Sequence, residues 1–137
     1  MNPTIIRVDN VIVVDASLED YATLFADEYL RDLMVRFFAT GEEALRSTDA
    51  ATTALWMVNL QLPDMTGVNF LGLVRARARR CPVFLVSDVY SSDEEVAARA
   101  AGASAYLCKP VNAAWLTMCR HTVSRAAIRK GMPRTVG

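Results

Sequence analysis

A chain of 137 residues with 53% hydrophobic and 22% charged side chains can bury one sizeable core, which excludes a disordered or low-complexity protein. Fifteen basic residues balance fifteen acidic ones, so bulk charge supplies no drive toward nucleic acid or an anionic membrane. The opening Met1-Asn2-Pro3-Thr4 is unlike a signal peptide and no apolar run reaches membrane-spanning length, so a soluble, cytoplasmic protein is expected.

Val11, Ile12, Val13 and Val14 form a β-branched run that surfaces on Asp15, the pattern of a buried strand ending at an acid. Ser17 is placed to cap a first amphipathic helix over 18–30, with Leu18, Tyr21, Ala22, Phe25 and Tyr29 at helical spacing. A second strand over 33–38 is expected near a sheet edge because Arg36 interrupts it. Thr40-Gly41-Glu42-Glu43 then reads as a capping box opening a short helix through Ala44 and Leu45.

The stretch over 54–67 organises the chain. Leu55, Trp56, Met57 and Val58 are apolar without alternation, as in a strand buried on both faces, and the run ends on Asn59 before a turn containing Pro63, Asp64 and Gly67. Ligands of parallel α/β sheets gather at the carboxyl ends of strands, so Asn59 marks the expected site.

Phe70, Leu71, Val74 and Ala78 define one face of a third helix, and Arg75, Arg77, Arg79 and Arg80 are expected on a solvated face because no aromatic residues interleave with them. A fourth strand over 82–86 surfaces at Ser87 and Asp88. Ser91-Ser92-Asp93-Glu94-Glu95 supplies a second capping box, ahead of an alanine-rich helix closed by Gly102. The fifth strand, over 105–108, surfaces at Lys109. Asn112 can cap a last helix carrying Trp115, Met118, Cys119, Thr122 and Val123. Cys81, Cys108 and Cys119 are odd in number and lack metal-ligand spacing, so they read as reduced core thiols. His121 has no Cys, Asp or Glu near it in sequence and reads as a surface residue.

Five strands alternating with five helices predict a doubly wound, flavodoxin-like α/β fold, a parallel sheet of order 2-1-3-4-5 covered on both faces. One domain is expected over 1–130, with a short basic tail over 131–137. Asp15, Asn59, Ser87 and Lys109 then converge at one edge of the sheet.

With these residues in this order, the chain resembles the CheY-like receiver domain of response regulators. The motifs are Val13-Val14-Asp15, Leu60-Gln61-Leu62-Pro63-Asp64-Met65-Thr66-Gly67, Val86-Ser87, Ala101-Gly102-Ala103 and Lys109-Pro110, and the resemblance covers nearly the whole chain. It implies two-component, phosphorelay signal transduction. In the family, paired acids after strand one and an aspartate ending strand three bind magnesium, and that aspartate accepts a phosphoryl group from a histidine kinase. A hydroxyl and a lysine then hold the phosphate.

By that resemblance Asp15 matches the first acid, Ser87 the hydroxyl and Lys109 the lysine. Ala16 stands where the second acid belongs and Asn59 where the phosphoacceptor belongs. An amide cannot form the acyl phosphate, and Asp15 is left as the one carboxylate of the usual three, so magnesium binding is expected to be weak or absent and no cofactor is implied. Asp88 replaces a small residue, where it narrows the pocket, pairs with Lys109 or simply faces solvent. Tyr106 resembles the family's switch aromatic, and the alternative is an ordinary half-buried strand tyrosine.

The implied function is that of a pseudo-receiver, not an enzyme, that acts by phosphorylation-independent protein–protein interaction. Its partners would be proteins of a signalling pathway or a second copy of the chain, met through the fourth helix, fifth strand and last helix, with Tyr106 and Trp115 on that face. The alternative is a pocket converted to bind a small molecule or anion through Lys109, Ser87 and the Asn59 amide. A nucleic-acid role for the basic stretch from Arg120 to Arg134 is the third reading, and none is expected of the domain itself.

Overall fold

A computed structural model describes residues 10–49, 54–77, 81–114 and 116. Its strands are β1 (Asn10–Val14), β2 (Met34–Phe38), β3 (Leu55–Asn59), β4 (Val83–Ser87) and β5 (Ala105–Cys108). All neighbouring pairs are parallel, in the order β2-β1-β3-β4-β5. The described α-helices are α1 (Ala22–Phe25), α2 (Gly41–Arg46), α3 (Gly67–Arg77) and α4 (Ser92–Ala100).

The unbroken apolar runs of β1, β3 and β4 follow from burial on both faces. Ile12, Val14, Trp56, Val58, Val83 and Leu85 point to one face, against Ala44, Phe70, Leu71, Val74 and Ala98 of α2, α3 and α4. Their alternate neighbours Val11, Val13, Leu55, Met57, Phe84 and Val86 pack on the other, with Tyr21, Leu24, Leu30 and Leu116. β2 lies at an edge, as Arg36 implied, and most of its side chains are at least partly exposed.

The first helix departs from expectation. In place of one helix over 18–30 there are a 3-10 turn at Leu18–Tyr21, the four-residue α1, and a second 3-10 turn at Glu28–Leu30. Ser17 makes no side-chain cap. The Asp27 carboxylate accepts from Tyr29 N at 2.9 Å, a local bond that competes with helix continuation. Tyr29, expected on the buried side, is 69% exposed, and Leu30 is buried instead.

The two capping serine and threonine positions hold: Thr40 Oγ1 accepts from Glu43 N and Ser91 Oγ from Glu94 N. Asn112 Oδ1 likewise accepts from Ala114 N at 2.7 Å. Beyond that first turn the last helix, with Trp115, Cys119 and His121, lies outside the described residues, as do Ala78, Arg79, Arg80 and the boundary at 130. Cys81 and Cys108 are half-buried and form no disulfide.

The arginine face of α3 is not simply solvated. Arg75 donates to the carbonyls of Cys81 and Gly102, and Arg77 to those of Leu45 and Thr48. Gly102, with φ at +98°, adopts the left-handed turn that ends α4. Among the described residues no helix is long and apolar enough to cross a membrane.

Candidate functional site

The strand ladder delivers the polar residues to one edge. Asp15 N donates to Phe38 O just past the end of β1, Leu60 N to Val86 O past β3, and Lys109 N to Ser87 O past β5, each at 2.9 Å. Asp15, Asn59 and Ser87 are each only 3% exposed. Gly67 lets the loop after β3 close tightly, since a Cβ there would lie 2.5 Å from Asn59 O and 2.9 Å from Leu60 Cα. The same loop is braced from α2, where Gly41 N and Glu42 N donate to the Asp64 carboxylate.

Asp15 is the hub. Its Oδ1 accepts from Ser17 N at 2.8 Å. Its Oδ2 accepts from Tyr21 OH at 2.8 Å and Asn59 Nδ2 at 3.0 Å, and faces Lys109 Nζ at 2.9 Å. Burial, and then the Asp15 charge, push the Tyr21 phenol far above its ordinary range, so it stays a hydrogen-bond donor.

Asn59 bridges the site. Its Nδ2 also donates to Asp88 Oδ1 at 3.0 Å, and its Oδ1 accepts from Gln61 N at 2.7 Å. Lys109 Nζ reaches Asp20 Oδ2 at 2.8 Å and Asp88 Oδ1 at 2.9 Å as well as Asp15, and stands 5.5 Å from the centre of the Tyr21 ring. Burial alone would lower the Lys109 pKa; hydrogen bonds to Asp20, Asp15 and Asp88 outweigh it and hold the ammonium charged above its usual range. The bond from Lys109, then that from Asn59, keeps Asp88 below the ordinary carboxylate range. Three carboxylates around one ammonium leave the cluster formally two charges negative.

Asp15, Asn59, Asp88 and Lys109 therefore meet. Asp88 pairs with Lys109, although 65% of its side chain remains exposed. Ala16 is exposed and contributes no polar side chain. Ser87 borders the cluster but turns away, its hydroxyl lying 2.8 Å from Glu94 Oε1 and 2.5 Å from Val89 O. The Glu94 side chain of the second capping box thus serves β4. Tyr106 stands apart: its hydroxyl accepts from Ser91 N at 3.0 Å and its ring meets Tyr90 edge-on. Trp115 lies outside the described residues.

Sequence reasoning missed Asp20, Tyr21 and Glu94. Tyr21 read as a core aromatic, which it also is, and Asp20 had no signal beyond lying next to it on the turn after β1.

Fold and site together define a doubly wound α/β domain with a charged polar cluster at the carboxyl edge of its sheet. The model for the response regulator receiver domain matches residues 10–119, and the chain belongs to that family, the receiver domains of two-component signalling. It is 34% identical over 99 residues to the regulatory protein LuxO of Vibrio cholerae, covering 72% of this chain and 21% of that protein. To the transcriptional regulatory protein PrrA of Mycobacterium tuberculosis it is 33% identical over 100 residues, covering 73% of this chain and 43% of PrrA. The chain thus spans less than half of either relative.

The fold agrees with solved receivers. A CheY-like receiver domain protein from Methanospirillum hungatei superposes with a TM-score of 0.76 at 22% identity, over 90% of this chain and 99% of that one. The beryllofluoride-activated NtrC4 receiver domain dimer gives 0.77 at 21% identity, over 88% and 99%.

Proposed function

We propose that this receiver signals without aspartyl phosphorylation, through a protein–protein contact whose geometry the pocket holds by its own internal bonds. The observation that carries the reading is the Asn59 amide, which sits at the end of β3 and donates to Asp15 and Asp88. A neutral amide lacks the nucleophilic oxygen of a carboxylate, so no acyl phosphate forms at residue 59. Ser87, which by family resemblance would bond to a phosphoryl oxygen, is engaged by Glu94 instead. The donor set also suits magnesium poorly, because Lys109 already lies among the carboxylates.

The exposed apolar residues favour contact near α4. Val89, Tyr90 and Val96 are 76%, 58% and 68% exposed, on the loop entering α4 and on α4 itself. The partner is a signalling protein or a second copy of the chain, and the NtrC4 receiver dimer supports the latter arrangement. Conversion of the pocket to an anion site is disfavoured. Lys109, Asn59 and Ser87 each face carboxylate oxygens already, in a cluster with excess negative charge.

The test is intact-mass analysis after incubation with acetyl phosphate and magnesium. Wild type should gain no acid-labile phosphoryl group, whereas the Ala16→Asp/Asn59→Asp variant should gain one. Uptake at residue 59 of the wild-type chain would refute the reading.

A further inference from the structure

We infer that Lys109 is the resident cation of the pocket, its ammonium doing among the carboxylates what a divalent ion does in a metal-dependent receiver, so that this domain neither binds magnesium nor responds to it. The inference deepens the functional reading above and rests on its view of the pocket as self-contained.

By family resemblance, one of three metal-binding carboxylates survives, which would explain weak metal binding by a shortage of ligands. The structure gives a different reason. Two carboxylates outside the family pattern, Asp20 from the 3-10 turn after β1 and Asp88 from the end of β4, join Asp15, so three are present. All three converge on one nitrogen, at 2.9, 2.8 and 2.9 Å from Asp15, Asp20 and Asp88. An ammonium has three N–H donors, and three acceptors saturate it.

The neighbouring polar groups also turn hydrogens, not lone pairs, toward those oxygens. Asn59 Nδ2 donates to Asp15 Oδ2 and Asp88 Oδ1, and Tyr21 OH donates to Asp15 Oδ2. Magnesium requires near-octahedral oxygens at about 2.0–2.1 Å and gives up water reluctantly. To reach Asp15 Oδ2 it would have to displace three donors and lie beside a fixed positive charge. The Lys109 side chain is 11% exposed, so water screens that repulsion little.

The ammonium is itself a tether. It joins the turn after β1, the end of β4 and the end of β5, three segments distant in sequence. This link is present at every magnesium concentration.

The test uses the full chain, titrated with magnesium and with manganese, and reads thermal stability and paramagnetic broadening of the Asp15, Asn59 and Lys109 amide signals. Wild type should show no saturable shift in Tm and no localised broadening at millimolar metal. Lys109→Met keeps the aliphatic stem and removes the charge; it should acquire metal-dependent stabilisation and localised broadening, with at least a tenfold gain in apparent affinity. Adding Asp20→Asn should weaken that gain.

Saturable manganese binding at Asp15 and Asn59 in wild type would overturn the inference, as would a folded Lys109→Met variant that gains nothing. Should that variant fail to fold, the wild-type titration decides alone. A wild-type protein that binds manganese yet takes no phosphoryl group would remove this inference and leave the functional reading standing. Uptake of a phosphoryl group at residue 59 would remove the functional reading and this inference with it.

Discussion

Three carboxylates lie within 0.1 Å of the same distance from Lys109 Nζ, yet their side chains are 4%, 45% and 65% exposed for Asp15, Asp20 and Asp88. Distance therefore predicts equal contributions, and burial predicts unequal ones. A unit charge pair at 4 Å is worth about 1 kcal/mol in bulk water and about 4 kcal/mol at the effective dielectric of a protein surface. Exposed pairs net roughly 0.2–1 kcal/mol, so Asp20→Asn and Asp88→Asn should each cost no more than about 1 kcal/mol. Asp15→Asn weakens a buried pair and sets an amide against the donors of Tyr21, Asn59 and Lys109. Breaking a buried pair costs about 3–5 kcal/mol, and because Lys109 keeps two other partners the lower end applies, about 3 kcal/mol. That is a large share of a typical stability of about 5–15 kcal/mol.

Urea unfolding followed by circular dichroism measures all three variants on one scale, with the slope checked for constancy. An Asp15→Asn loss no greater than that of Asp88→Asn would refute the argument from burial. Double-mutant cycles with Lys109→Met should rank the couplings in the same order.

Gly67→Ala should destabilise by about 1–3 kcal/mol through the clash with the Asn59 carbonyl, while Gly72→Ala, where a Cβ meets nothing within 4 Å, should stabilise α3 by about 0.5–1 kcal/mol; opposite signs in thermal melts check both. Below pH 4 stability should fall. Asp88 is held down by Lys109, and Asp64 by the backbone N–H groups of Glu42 and Gly41 against the opposing effect of burial, so both favour the folded state above the ordinary carboxylate pKa of about 4 and lose that contribution as pH drops. The raised Lys109 pKa keeps its own contribution in place up to the ordinary lysine value of about 10.4, so this group adds no slope to the urea midpoint between these limits, and a midpoint that rises as pH falls below about 4 contradicts the assignment. Glu94→Ala removes the partner of Ser87 but leaves the Ser91 cap; it should cost about 0.5–1.5 kcal/mol and speed amide exchange at the start of α4, and unchanged exchange there would show that this bond does not position the helix.

The sheet was legible because strands covered on both faces must be apolar at every position, and Leu55 to Val58 or Val83 to Val86 admit few other readings. Asp15, Asn59, Ser87 and Lys109 were legible for a related reason: a polar side chain directly after such a run has to sit at the strand's end, whereas the pairing of Asp88 with Lys109 was one of three open readings. Asp20 and Tyr21 were not, because a 3-10 turn rotates residues by a different angle from the α-helix that periodicity assumes. The helix over 18–30 failed for the same cause, with Asp27 bonding its own neighbourhood. Arg75 and Arg77 looked like solvent-facing charges, and nothing in their spacing indicates that the carbonyls of Cys81, Gly102, Leu45 and Thr48 lie within reach.

Those two guanidinium groups fasten the last turn of α3 to the chain on either side, Arg77 toward the end of α2 and Arg75 toward the turn after α4. The rim opposite the pocket is thereby riveted, and α3 serves as the keel of the domain. The leading end of α4 lies on the other rim, where Ser91 N donates to the Tyr106 hydroxyl of β5.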